Sequence, residues 1–210
     1  MRQQNKNNIG KRRKENTISR LEKIHPHKML LYLSIFGSTL IFLFMISAYT
    51  VSRLEADLVN FTMPKSFVVS LVLLLLSSFS ISKVLPAFKK DNIKQVKVSL
   101  EVTLLLGLAF TISQYVGWYE MNQSGVYLSG KDSGAYLYVI SGLHVLHLAG
   151  GLAFLTLVYT KVSGVLRDPV KSLIMVTNPY QQVRLEMLTV YWHFVDALWV
   201  ALFFYFLFSF

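Results

Sequence analysis

The stretch Tyr191-Trp192-His193-Phe194-Val195-Asp196-Ala197-Leu198-Trp199 decides how this chain is read. It lies inside residues 185–210, a run apolar enough and long enough to cross a bilayer. His193, Asp196 and Trp199 are spaced three apart, so a helix places them on one face. A carboxylate near the middle of a bilayer costs roughly 2.5 to 3.5 kcal/mol even on lenient insertion scales. Asp196 is therefore expected to face protein, with an intramembrane partner.

The rest of the composition agrees. Of 210 residues, 53% are hydrophobic and only 15% charged, which points to a polytopic, all-α membrane bundle rather than a soluble domain. The net charge of +10 does not argue for nucleic acid, because the basic residues lie in a tail and in loops between apolar runs. Cysteine is absent, which excludes disulfides, iron–sulfur clusters, thiolate zinc sites and copper sites built on Cys.

Five apolar spans can be drawn: residues 29–51, 66–85, 98–119, 134–160 and 185–210. Residues 1–28 form a basic tail with no apolar core, unlike a secretory signal, and 29–210 form the five-helix domain. Ile18, Leu21 and Ile24 give the tail at most a short amphipathic turn. The prolines (Pro26, Pro64, Pro86, Pro169, Pro179) fall outside the spans or at their edges, as helix starts and stops do. The tail and the loops 83–97 and 161–184 hold 18 of the 21 basic residues, against Arg53, Lys65 and Lys131 in the intervening loops. That bias places the N-terminus in the cytoplasm and the C-terminus outside. There is no internal repeat, and five helices do not divide into the equal halves of an inverted-repeat carrier.

Within the spans, Ser77, Ser78, Ser80 and Ser82 are expected to bond back to the preceding turn or across to a neighbouring helix. Glu101 reads as an acid in the first turn of the third helix, favoured by the helix dipole, and secondarily as an acid on a proton path. Trp118 and Tyr119 read as interfacial aromatics. The fourth span carries Ser141-Gly142-Leu143-His144-Val145-Leu146-His147-Leu148-Ala149-Gly150-Gly151, in which the small residues permit close helix approach. The segment after it (Arg167-Asp168-Pro169 to Asn178-Pro179) reads as a polar loop, and Glu186 as the start of the fifth helix.

Three intramembrane histidines, His144, His147 and His193, raise the question of haem or metal. A bis-histidine haem needs ligands at matching depth. At ~1.5 Å rise per residue, His193 lies about 12 Å and His147 about 20 Å from the corresponding ends of their helices. The preferred reading is an interhelical polar network of His144, His147, Glu186, His193, Asp196 and Trp199. In it, His144 or His147 bonds Asp196 or a backbone carbonyl. Proton handling stands as the alternative.

On Gly142-Leu143-His144-Val145-Leu146-His147, on the 191–199 stretch with Glu186, and on Gly107-Leu108-Ala109-Phe110-Thr111 with Gln114, the chain resembles subunit III of the haem–copper oxidases, the cytochrome c oxidase subunit 3 family. The likeness runs over about residues 29–210 and fits the five-helix bacterial form. It implies a subunit of the bacterial cytoplasmic membrane with no catalytic site and no redox centre of its own, haem and copper residing in partner subunits. Such a subunit packs against catalytic subunit I and subunit II, holds phospholipid in a cleft, and helps sustain proton uptake, in some cases within a larger respiratory supercomplex. Lys161 matches a basic position suited to a lipid phosphate. Two departures stand out. Phe36, Gly37 and Ser38 occupy a region where many relatives carry a buried Glu, and Gly117 stands where relatives often have Glu, so roles tied to those carboxylates do not transfer. The rivals are a subunit of a quinol oxidase or nitric oxide reductase, a haem-binding anchor, and a proton-coupled carrier.

Overall fold

A computed structural model describes residues 26–55, 65–127, 134–166 and 168–209. These form seven helices: α1 (Pro26–Glu55), α2 (Lys65–Ser82), α3 (Val84–Lys89), α4 (Ile93–Gln123), α5 (Gly134–Val165), α6 (Pro169–Thr177) and α7 (Pro179–Ser209). Five stretches are long and apolar enough to span a membrane: Pro26–Ser52, Lys65–Lys89, Ile93–Gln123, Ala135–Val165 and Pro179–Phe208. The five expected spans are all present, and the described residues contain no strand. The described chain falls into two compact units, one ending at Ser38 and one running from Thr39. The fold described below belongs to the second.

The helices begin earlier than hydropathy suggests. Backbone caps, rather than the loss of charge, set their ends. Asn92 accepts from Gln95 N at 3.1 Å and starts α4 at Ile93, so Glu101 lies more than two turns inside the helix and not in its first turn. Asn178 Oδ1 accepts from Tyr180 N at 2.9 Å where α7 starts at Pro179, which likewise puts Glu186 about two turns in. Pro26, Pro169 and Pro179 each occupy the first helical position, where a missing N–H costs nothing. α1 thereby takes in three residues assigned above to the basic tail. The rest of that tail and Pro64 lie outside the described residues. Between the Asp168 cap, which accepts from Val170 N at 3.0 Å, and Asn178, the expected loop is instead the nine-residue helix α6. Pro86 sits in α3 just past a break at Lys83, consistent with the N–H it cannot offer to Ser82.

Packing in this unit turns on one side chain. The Trp192 indole of α7 is fully buried and enters the space left by two glycines. A Cβ on Gly107 of α4 would stand 3.0 Å from Trp192 Cη2, and one on Gly151 of α5 would stand 3.5 Å from Cζ3. Trp192 Nε1 donates to Ser77 Oγ of α2 at 3.0 Å, and Ser77 passes the bond to its own helix at Leu74 O, also 3.0 Å. One ring thus touches α2, α4 and α5 at once. Beside it Tyr191 OH donates to His147 O at 2.9 Å.

The serine-rich end of α2 completes this seam. Ser78 Oγ and His193 Nδ1 share a 2.8 Å bond, Ser80 donates to Ser99 O of α4 at 3.0 Å, and Ser82 bonds back to Phe79 O. Both expected kinds of serine bond are present. In hydrocarbon such bonds are worth about 0.6 to 2 kcal/mol each, and no water competes for them. Residues 39–55 of α1 rest on aromatic contacts: Phe42 lies 5.4 Å from the His147 ring, and Tyr49 packs on Tyr136, Tyr205 and Phe206 at 5.9–6.1 Å.

At the other end of α2 the Glu120 carboxylate of α4 accepts from Ser66 Oγ at 2.6 Å and from Ser66 N at 3.5 Å. An acid from a neighbouring helix thus sits on the first turn of α2, where the dipole favours it. Below it the Phe67 ring fills the space at Gly117, where an added Cβ would stand 2.5 Å from Phe67 Cε1. In this chain Phe67 occupies the room a side chain would need.

Gly117→Ala should lower the thermal stability of the detergent-solubilised protein, by about 1 to 3 kcal/mol for an overpacked core position. Adding Phe67→Leu should recover part of that loss, so the double variant is more stable than the sum of the two single effects. Strict additivity would show that the two side chains do not compete for space.

Candidate functional site

The residues that carry the motifs converge in the interior between α4, α5 and α7. His144 and Trp199 stack with ring centroids 4.9 Å apart and planes tilted by 32°. Phe110 closes a triangle, edge-on to both, at 5.6 Å from His144 and 5.3 Å from Trp199. Phe67 of α2 adds a fourth ring 5.6 Å from Trp199. This arrangement follows from register: Phe110, His144 and Trp199 each fall on the inward stripe of their helix, and all are fully buried.

The chain's three tryptophans make a useful comparison. Trp192 Nε1 donates to Ser77, which donates onward to Leu74 O. Trp118 Nε1 donates at 2.9 Å to Ser141 Oγ, which donates onward to Leu137 O. Trp118 is thus an interhelical tie and not simply an interfacial aromatic, whereas Tyr119 is exposed as expected. Trp199 Nε1 has no such serine. Among the described residues it finds no hydrogen-bond partner.

Neither do its polar neighbours. Both ring nitrogens of His144, both amide atoms of Gln114 and both carboxyl oxygens of Asp196 are buried without a hydrogen bond among the described residues. The Ser78 hydroxyl of α2 lies toward the Asp196 carboxyl, to which it can donate while accepting from His193 at 2.8 Å. Asp196 is 5% exposed, and Gln114 and His144 are fully enclosed. Of the two bonds expected for His144 or His147, to Asp196 or to a backbone carbonyl, the second is present, within one helix rather than between two. His147 Nδ1 donates at 2.8 Å to Leu143 O, one turn back on its own helix.

The remaining expected residues are dispersed. Glu186 accepts from Gln182 Nε2 at 2.8 Å on its own helix and does not join the His144–Trp199 stack. Glu101 is half-buried on α4, and Lys161 is exposed at the end of α5. Sequence reasoning put no weight on Trp192 or Glu120. The only available signals were the serine run facing an indole and the position of Glu120 at the end of a helix. No group of three His, Cys, Asp or Glu suited to a metal ion occurs among the described residues.

Seven buried polar atoms without partners, at about 1 to 3 kcal/mol each, together amount to on the order of 10 kcal/mol. A domain's whole net stability is about 5 to 15 kcal/mol. Buried polar groups are ordinarily satisfied by protein or by ordered water, which sets these seven atoms apart from the satisfied layers on either side.

A family profile described as cytochrome c oxidase subunit III matches residues 27–209. A probable cytochrome c oxidase subunit 3 of Nocardia farcinica is 32% identical over 132 residues, covering 62% of this chain and 59% of the relative. The cytochrome c oxidase subunit 3 of Alkalihalophilus pseudofirmus is 32% identical over 136 residues, covering 63% and 60%. The human subunit 3 is 30% identical over 130 residues, covering 62% of this chain and 45% of the relative. The chain thus spans roughly three fifths of the length of its bacterial relatives. With the match to the profile running through all five membrane-spanning helices, the chain belongs to the cytochrome c oxidase subunit III family.

Proposed function

We propose that this chain is a non-redox membrane subunit of a terminal respiratory haem–copper oxidase, most simply a cytochrome c oxidase of a bacterial cytoplasmic membrane. The observation that carries this reading is the family match over residues 27–209, inside which the motif residues His144 and Trp199 stack and Asp196 is buried about one turn before Trp199. Subunits I and II are its partners, and haem and copper belong to them. Phospholipid contacts, with Lys161 toward a lipid phosphate, and support of proton uptake complete the proposal. The basic loops 83–97 and 161–184 face the cytoplasm by the positive-inside rule.

The chain itself contributes rigidity. The Trp192 seam and the Glu120 clasp hold α2, α4, α5 and α7 at fixed distances. Its outward faces carry aliphatic and aromatic side chains such as Leu105, Ile112 and Leu146, which suit lipid or a partner's helices.

Three outcomes follow. The tagged chain, purified from native membranes in mild detergent, should bring haem a in near-stoichiometric amount in a reduced-minus-oxidised spectrum. Haem b or o alone would move it to a quinol oxidase or nitric oxide reductase, and no haem would end the oxidase reading. Asp196→Ala should lower the yield of assembled complex more than turnover per haem; full assembly with halved turnover would favour proton handling instead. Because the chain has no cysteine, single exposed substitutions report topology directly. In intact cells a membrane-impermeant maleimide should label Asn122→Cys and spare Lys90→Cys, and the reverse pattern would invert the orientation.

A further inference from the structure

We infer that the interior between α4, α5 and α7 is a water-binding site, a short column of bound water held by Gln114, His144, Asp196 and the Trp199 indole N–H.

The argument begins with what each group needs. Gln114 brings a donor and an acceptor, His144 one of each when neutral, Asp196 acceptors, and Trp199 a donor. Water is the one small ligand that serves all of these at once, since it donates two bonds and accepts two. Buried water is stable where it meets two to four polar groups, and this interior offers seven polar atoms with no partner among the described residues.

Register sets the size of the site. Phe110, His144 and Trp199 share one level through their ring contacts. Gln114 is one turn beyond Phe110, toward the Trp118–Ser141 tie, and Asp196 is one turn below Trp199, toward the Trp192–Ser77 tie. At ~1.5 Å rise per residue the four groups extend over about 10 Å of bundle axis. A single water cannot reach both ends, whereas a column of two or three, spaced by about 2.8 Å, can. About one turn beyond each end lies an indole whose N–H is already satisfied, and the indole between them is not.

That contrast supplies the test. Trp192 and Trp199 are equally inaccessible, at 0% exposure, and differ in whether the N–H has a protein partner. Radiolysis of bound water generates hydroxyl radicals in place, so an indole beside internal water is oxidised although bulk solvent never reaches it. In the intact complex that contains this chain, synchrotron footprinting read by mass spectrometry should oxidise Trp199 several-fold faster than Trp192. Equal slow rates for the two indoles would overturn the proposal. In the double variant Gln114→Leu with His144→Phe, the Trp199 rate should fall to that of Trp192; an unchanged rate in an assembled variant would overturn the assignment of these anchors. If that variant does not assemble, the wild-type ratio decides alone. The inference rests on side chains within this chain, so it stands or falls whichever haem co-purifies.

Discussion

The fold depends on placing one indole where four helices meet. Trp192 is too large to be buried at a helix crossing unless its neighbours give up their side chains, and Gly107 and Gly151 do so. Its N–H cannot be left bare in hydrocarbon, and Ser77 accepts it while keeping its own bond to Leu74 O. Size, shape and hydrogen bonding are thus met by three other residues on three other helices. Inside a membrane the hydrophobic effect does not drive helices together, because lipid is as apolar as the helix surface. Close packing and interhelical hydrogen bonds must do so, and this seam supplies both.

The same logic recurs along the bundle and then stops. Trp118 and Ser141 repeat the indole–serine–carbonyl relay one level away. Glu120 meets the first turn of α2 with a carboxylate. Between these satisfied layers lies the stack of His144, Trp199 and Phe110, in which His144, Trp199 and the nearby Gln114 find no hydrogen-bond partner among the described residues. A structural role and a hydrated interior are compatible here. Water that joins four side chains on three helices ties the bundle as firmly as direct bonds, provided it is ordered.

The family relationship gives this interior a setting. The chain belongs to the cytochrome c oxidase subunit III family over residues 27–209, and this interior lies within the matched region. At position 117 the Phe67 ring takes up the space a side chain would need. Among the described residues Asp196 is the one acid enclosed in the core.

Much was legible in the amino-acid sequence because bilayer physics is one-dimensional. Hydropathy determined five spans, and the spacing of Asp196 and Trp199 marked an inward face; both follow from the cost of polar groups in hydrocarbon. Helix ends were misplaced by up to two turns, as at Glu101 and Glu186, because caps such as Asn92 and Asn178 operate by local geometry that hydropathy does not register. Only the tertiary structure decided which polar groups meet. Ser77, rather than a histidine, accepts from Trp192; His147 turns back to its own helix; and His144 lies against Trp199 instead of bonding Asp196. The physical reason is that a hydrogen bond requires two atoms within about 3 Å. A helical period fixes the face of each residue but leaves the depth and rotation of neighbouring helices to be set by packing.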